Sequence, residues 1–188
     1  MPRIVHFNQS GFMITQRMDP IHKRGICLGL VAEWIAARGD IDNFGTQART
    51  PQGVGRIGGV MNLMNHKNNN TELAITKNYV RAYVKARGVL FTMREKSGRG
   101  ERCAKIPAFV QDFPGLYYCG LQGNESGHAI GLKHIQNGGT HTYAIFDPNY
   151  FYYETDEAAD FTDMLSRVLK ANYPHLKTWF IDSYSQFY

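Results

Sequence analysis

The run Ser126-Gly127-His128-Ala129-Ile130-Gly131-Leu132-Lys133-His134-Ile135-Gln136-Asn137-Gly138-Gly139-Thr140-His141-Thr142-Tyr143-Ala144-Ile145-Phe146-Asp147 holds two apolar-rich stretches about a central Asn-Gly-Gly. Asn-Gly is a signal for a two-residue hairpin turn, so the run predicts two antiparallel strands. With Asn137 and Gly138 as the loop, His128 faces Asp147 directly. Opposed residues share a face with Cβ atoms about 4.5–5.5 Å apart, close enough for a carboxylate to accept from an imidazole N–H. The same register puts His128, Ile130, Leu132 and His134 on one face with His141, Tyr143, Ile145 and Asp147. Ala129, Gly131 and Lys133 share the other with Ala144 and Phe146. A turn at Gly138-Gly139 instead slips the pairing and removes the direct opposition. Pro148 stops the second strand, and Asp147-Pro148-Asn149 has the composition of a turn.

A nucleophile lies far upstream, in Gly25-Ile26-Cys27-Leu28-Gly29-Leu30. Cys27, Leu30, Val31, Trp34 and Ile35 recur at helical spacing, and Gly39 supplies a stop, so the helix is expected to run to about Arg38. Cys27 then sits in the first turn, where the helix dipole favours the thiolate and an adjacent imidazolium favours it further. Its backbone N–H lacks an intrahelical partner and is available to an oxyanion, while Gly25 and Gly29 allow close approach. A Cys on an apolar helix is by itself usually a small core residue, a His at a strand start is usually structural, and Asp-Pro-Asn is usually only a turn. The order Cys, His, Asp on these elements points to a thiol nucleophile, a base and an orienting carboxylate.

These segments, with Trp34 beyond the Cys and Phe146-Asp147-Pro148-Asn149-Tyr150 at the end, resemble the catalytic blocks of the YopT/AvrPphB family of bacterial effector cysteine proteases. The likeness extends from about Gly25 to Tyr153. It implies an α+β, papain-like fold in which a helix-borne Cys packs on an antiparallel sheet. It further implies Cys27 as nucleophile, His128 as general base and then acid, and Asp147 as the orienter of the imidazole. Papain-like enzymes complete the oxyanion hole with an amide side chain shortly before the Cys. Here Ile21 and His22 occupy that stretch, Gln16 and Gln9 are the nearest upstream amides, and Gln16 is taken as the candidate beside the Cys27 backbone.

The rest of the chain reads as one domain over residues 1–188, large enough to bury a core without staples. Residues 1–24 read as an extended arm. Gly45 to Gly59, rich in Gly, Thr, Gln and Pro, reads as a loop bordering the cleft, followed by a helix near Gly59 to Asn65 and a polar turn over Lys67 to Asn70. Thr71 to Arg87 predicts a helix with Leu73, Thr76, Val80 and Val84 on one face, and Val89 to Met93 a strand. Ile106 to Phe113 fits helix or strand. Leu116 to Leu121 predicts a strand, Glu157 to Ala171 a helix with Phe161, Met164, Leu165, Val168 and Leu169 inward, and Thr178 to Tyr184 a final strand closing the sheet.

No apolar run reaches membrane-span length and the N-terminus lacks the h-region of a secretory signal, so stable membrane insertion is not expected. The three cysteines, Cys27, Cys103 and Cys119, argue for reduced thiols and cytosolic action. No spacing matches a zinc site, and neither a metal nor another cofactor is expected, His134 and His141 reading as packing or surface groups. The net charge of +5 is uneven, with Arg94, Lys96, Arg99, Arg102 and Lys105 around Ser97-Gly98-Arg99-Gly100. That cluster reads as a solvated loop tip or a contact to an acidic protein or membrane surface. No nucleic-acid motif accompanies it.

The expected activity is thus cleavage of a specific protein through a thioester. Family likeness suggests a small GTPase or kinase of a host, or a bacterial target reached by a signal-independent secretion route, with action in the target cell's cytosol. An immunity protein or chaperone is the expected companion. A glutamine deamidase or transglutaminase uses the same three residue types, and a catalytically silent binding module would keep the fold alone. The aromatic runs Tyr150 to Tyr153 and Tyr184 to Tyr188 read as core and edge packing or as a partner surface.

Overall fold

The computed structural model describes residues 1–18, 26–65, 72–124 and 126–185, the side chains of 63–65 and 72–76 excepted. In chain order the elements are β1 (Arg3–His6), α1 (Gln9–Thr15), α2 (Cys27–Ala36), α3 (Ile41–Ala48), α4 (Pro51–Asn65), α5 (Glu72–Ala86) and β2 (Phe91–Arg99). They continue with α6 (Arg102–Asp112), β3 (Gly115–Gln122), β4 (Gly127–Asn137), β5 (Thr140–Asp147), β6 (Phe151–Thr155), α7 (Ala158–Ala171) and β7 (Thr178–Tyr184). All strands join one antiparallel sheet in the order β1-β6-β5-β4-β3-β7-β2.

Period-two alternation sends the side chains of β4 and β5 to two separate cores. Ala129, Ala144 and Phe146 pack with Leu30, Trp34, Phe44, Ile57 and Val80 of the helical layer α2 to α5. Ile130, Leu132, Tyr143 and Ile145 pack with Val110 of α6 and Phe161, Leu165 and Leu169 of α7. The amphipathic stripe expected for α7 is therefore the one it buries. The helix α2 is buried along almost its whole length, and its C-terminal turn closes through left-handed Arg38 (φ 63°) and Gly39 (φ 67°).

The depth of α2 is set by a missing side chain. A Cβ on Gly131 would lie 2.5 Å from Cε3 of Trp34, so the indole rests directly on the β4 backbone. Two buried carboxylates fasten the layer further. Glu33 on α2 meets Arg56 of α4 at 2.5 Å, Arg87 beyond α5 at 3.3 Å and the Tyr83 hydroxyl. Asp182 on β7 accepts a two-pronged contact from Arg81 of α5, with each N···O distance 2.9 Å.

Several expectations need correction. The hairpin turn is Gly138-Gly139: Gly138 has φ 61° and Asn137 pairs with Thr140. Glycine at the first central position suits a type II′ turn, which keeps Asn137 in the strand. The register consequently slips by two residues and pairs Gly131 with Phe146. A slip of two preserves the face of every side chain, so His128 and Asp147 remain on one side as diagonal rather than direct neighbours.

The stretch expected to be a loop over Gly45 to Gly59 is mostly helix. Asp40 caps α3 by accepting from Asp42 N and Asn43 N at 2.9 and 2.8 Å, and Thr50 Oγ1 accepts from Gly53 N at 3.0 Å with Pro51 opening α4. Its glycine content serves packing: Gly53 lies so close to Gln47 O that a Cβ would be 2.1 Å away. The expected extended arm contains β1 and α1, and α6 settles the undecided segment as helix. The strand β7 lies inside the sheet between β3 and β2 rather than closing it, and β6 was not anticipated. The basic cluster is not a loop tip: β2 runs to Arg99, and Arg102 is buried. The polar turn over Lys67 to Asn70, the side chains of Leu73 and Thr76, and the last residues of the Tyr184 to Tyr188 run lie outside the described residues.

Gly131→Val places a branched side chain against Trp34 and is expected to destabilise the protein by roughly 1–3 kcal/mol, as overpacking does. Denaturant unfolding measures this, and adding Trp34→Leu to the same variant should recover part of the loss.

Candidate active site

Cys27 is the first residue of α2, half-buried, with Ile26 at the N-cap position and no capping side chain of its own. The cap is supplied from a distance. Ile26 N donates to Gln9 Oε1 at 2.8 Å, which ties the start of α1 to the start of α2. The backbone N–H groups of Leu28 and Ala129 and the His128 imidazole lie near enough to the Cys27 sulfur to favour its charged form.

His128 is the second residue of β4, pairs with Leu121 of β3, and is buried. Its Nε2 lies 2.9 Å from Asp147 Oδ1. An ionised carboxylate only accepts, so Nε2 carries the proton and Nδ1 is the nitrogen left for Cys27. Asp147 ends β5 and is fully buried. Its Oδ1 also accepts from Asn149 N at 3.0 Å, because the turn before β6 folds back on its own first side chain.

Sequence reasoning missed Tyr173, two residues beyond α7. Its hydroxyl donates across both Asp147 oxygens, at 3.0 and 2.9 Å, and its ring stacks on His128 with centroids 4.4 Å apart at 19°. Asn149 Nδ2 donates to the same hydroxyl at 3.1 Å, and Asn149 Oδ1 accepts from Gln9 Nε2. The contacts close a ring: Ile26, Gln9, Asn149, Tyr173, Asp147, His128, Cys27. No spacing or composition in Asn172-Tyr173-Pro174 signals this role, whereas the amide of Gln9 was visible.

The two upstream amides stand at opposite ends of α1. Gln9, at the start of α1, meets Ile26 and Asn149, whereas Gln16 caps the opposite end of that seven-residue helix, about 10 Å along its axis. Gly25, Ile21 and His22 lie outside the described residues. His134 and His141, the pair weighed as metal ligands, stack on each other with Nε2 and Nδ1 2.9 Å apart, and His134 Nδ1 bonds Val110 O at 2.9 Å. Among the described residues no group of three or more His, Cys, Asp or Glu is placed to hold a metal ion.

Charge coupling dominates the site. Burial alone pushes the Cys27 thiol up, but the His128 charge and hydrogen bond, with the two backbone N–H donors, bring it below its ordinary value. Burial pushes the His128 imidazole down, but the Cys27 charge and the bond to Asp147 outweigh it and raise it to about 9. Thiolate and imidazolium therefore coexist between the two, an activated nucleophile beside a charged acid.

No family model and no curated protein matches the sequence. Solved structures do. The Pseudomonas avirulence protein AvrPphB superposes with a TM-score of 0.63 at 17% identity, covering 89% of this chain and 95% of that one. PatoxP, a cysteine protease-like domain of the Photorhabdus asymbiotica toxin PaTox, gives 0.50 at 11% identity, covering 96% of this chain and 53% of that one. The chain has a papain-like fold. The α+β class with a helix-borne Cys on an antiparallel sheet is the one expected from the sequence, and AvrPphB is a namesake of the family that the three segments resemble.

Alkylation of Cys27 by iodoacetamide is expected to rise with pH about a midpoint below the value of about 8.5 of an ordinary thiol. His128→Ala removes the lowering charge and leaves the burial, so the midpoint should move above that value. Mass-spectrometric alkylation rates against pH measure both; a wild-type midpoint at or above about 8.5 contradicts the ion pair.

Proposed function

We propose that the protein is a cysteine endopeptidase of effector or toxin type, cleaving a specific protein through a thioester acyl-enzyme. The observation that carries this reading is the closed hydrogen-bonded ring, which sets a thiol at a helix N-terminus against an imidazole whose far nitrogen is held by a buried carboxylate. Cys27 as thiolate attacks the amide carbonyl, and His128 as imidazolium protonates the leaving amine. The neutral imidazole then takes a proton from the water that attacks the thioester, and Cys27 leaves as thiolate. Asp147 holds the imidazole in one tautomer and orientation. Tyr173 stiffens that pair from behind, restricting the carboxylate by its hydroxyl and the ring plane by stacking.

The oxyanion formed on attack is placed to meet the Cys27 backbone N–H and a side-chain amide. Gln9 takes that second role in preference to Gln16. Its Oε1 is held by Ile26 and one Nε2 hydrogen by Asn149, which fixes the amide plane beside Cys27 with a second N–H for the oxyanion. Fast turnover requires the imidazolium, so activity should fall as pH rises through about 9 and as pH falls through the lowered Cys27 value.

The substrate is a specific protein, with a small GTPase, a kinase or a bacterial protein as the candidates the resemblance offers. Delivery by a signal-independent secretion route into a target cytosol suits three free cysteines. No helix among the described residues is long and apolar enough to cross a membrane. An immunity protein or chaperone would then guard the producing cell.

Wild type and Cys27→Ala are expressed in bacterial cytosol and added to eukaryotic lysate, and new protein termini are sought by mass spectrometry. Termini dependent on Cys27 are expected. Unchanged polypeptide lengths with Cys27-dependent gains of about one dalton at glutamine would replace proteolysis by deamidation. Gln9→Leu is expected to lower the rate by about 10²-fold, the cost of one oxyanion donor, while Gln16→Leu leaves it within about twofold. Tyr173→Phe keeps the stacking but removes a donor from the carboxylate, so the His128 ring should titrate above its wild-type midpoint by NMR, with a stability loss of about 1–3 kcal/mol.

A further inference from the structure

The end of the sheet that presents His128 also opens into a cavity of about 650 Å³, lined by Arg99, Gln122, Ser126, His175, Lys177 and Thr178 among others. Its position follows from the register. Gln122 pairs with Gly127 on one side and Thr178 on the other, and Arg99 pairs with Thr178. Ser126 therefore lies two residues before His128. His175 and Lys177 lie two and four residues after Tyr173, whose ring stacks on the imidazole. Ser126 leads directly into the strand of His128, so the cavity lies at the same end of the sheet as the imidazole, with Gln122, Thr178 and Arg99 on the opposite face by their pairing.

Among the described residues the chemistry of the lining is one-sided. Arg99 and Lys177 bring full positive charge, His175 an imidazole, and Gln122, Ser126 and Thr178 neutral hydrogen-bonding groups, with no acidic side chain among the described lining residues. The cationic side chains are exposed and are held at the rim by backbone. Gly100 N donates to Lys177 O at 2.9 Å, so Arg99 and Lys177 are carried by adjoining, hydrogen-bonded strand ends. The charged head of Arg102, by contrast, turns inward to carbonyls of Leu169 and Tyr173 at 2.8 and 2.6 Å, and to that of Leu176. It braces the segment that carries His175 and Lys177.

Polarity of the reaction gives this cavity a place along a substrate. The imidazolium delivers its proton to the leaving amine, so the substrate residues that follow the scissile bond pass over His128 and on toward the cavity. From this geometry, and resting on the protease reading above, we propose that the cavity is a specificity subsite for acidic side chains of the substrate within the first few residues after the scissile bond. Complementary charge there selects the partner and hastens encounter, and salt weakens it.

The test uses the full-length protein with libraries of peptides prepared from bacterial and eukaryotic proteomes, cleaved by wild type and by Cys27→Ala. The expected result is Cys27-dependent cuts with Asp and Glu enriched at the first positions after the bond. In peptides made from those cuts, replacing the acidic residue by Asn or Gln should lower kcat/KM by about tenfold or more at low salt, and less at about 0.5 M salt. Arg99→Glu with Lys177→Glu, both on the surface, should reverse the preference toward Lys and Arg at the same positions. Cys27-dependent cuts without acidic enrichment, or a preference that the charge-reversed protein shares with wild type, overturn the subsite while leaving the protease reading standing. Absence of any Cys27-dependent cut overturns that reading and the subsite with it.

Discussion

A carboxylate with no access to water organises this molecule. Burying an ionised Asp costs several kcal/mol unless hydrogen bonds replace its hydration, and Asp147 is fully buried. Its donors come from three separate places: the His128 ring on β4, the Asn149 backbone in the turn before β6, and the Tyr173 hydroxyl beyond α7. None of them meets the others unless the hairpin, the turn and the α7 to β7 segment converge on one end of the sheet. Removing any one leaves the charge under-solvated, so the demands of stability and of the site coincide at this residue. The same donors decide the protonation of the imidazole, since the carboxylate fixes which nitrogen carries the hydrogen.

The thiol is brought to that point by different physics. Cys27 and Trp34 are two helical turns apart on nearly the same face of α2, about 10 Å along its axis. Whatever fixes the height of Trp34 above the sheet fixes the approach of Cys27 to His128. Gly131 does so by offering bare backbone to the indole, and the buried Glu33 with Arg56 and Arg87 prevents α2 from sliding against α4 and α5. Two cores on opposite faces of one sheet thereby deliver the two halves of the site to a shared edge. The ring through Gln9 and Asn149 joins them, since it runs from the α2 layer to the α7 side.

What the sequence disclosed follows the range of the forces involved. The helix of Cys27, the strands of His128 and Asp147 and the stripe of α7 were legible because each is set by apolar periodicity within one segment. The hairpin register was misjudged by two residues because Asn137-Gly138 and Gly138-Gly139 are both competent turns, and only the latter keeps Asn137 paired with Thr140. The face of each residue survived, since strand periodicity is two. Residues Gly45 to Gly59 misled because glycine reads as a loop former, whereas here it admits the close contact of α3 with α4 under the caps of Asp40 and Thr50. Tyr173 was invisible because its partners lie far away in sequence and its own neighbourhood carries no pattern. Gln9 was in view as one of two amides, and only the folding of β1 and α1 against the turn after Asp147, through Gln9 N to Pro148 O at 2.8 Å, separates it from Gln16.

Arg102 shows why a run of basic residues is a poor measure of surface charge. In sequence it belongs with Arg94, Lys96, Arg99 and Lys105, and all five count equally toward the net charge. In the fold its guanidinium lies at the C-terminal end of α7, where unpaired carbonyls and the negative end of the helix dipole attract a cation. Its charge is thereby neutralised locally by dipoles and contributes little to the field outside. Arg94 lies over the ring of Phe113, with its guanidinium carbon 4.2 Å from the centroid, and Lys105 pairs with Glu101. Arg99 and Lys177 remain exposed at the rim of the cavity at the sheet end that carries His128, with their charged heads in water. The positive charge open to a partner at this end of the sheet is therefore narrower than the composition indicates.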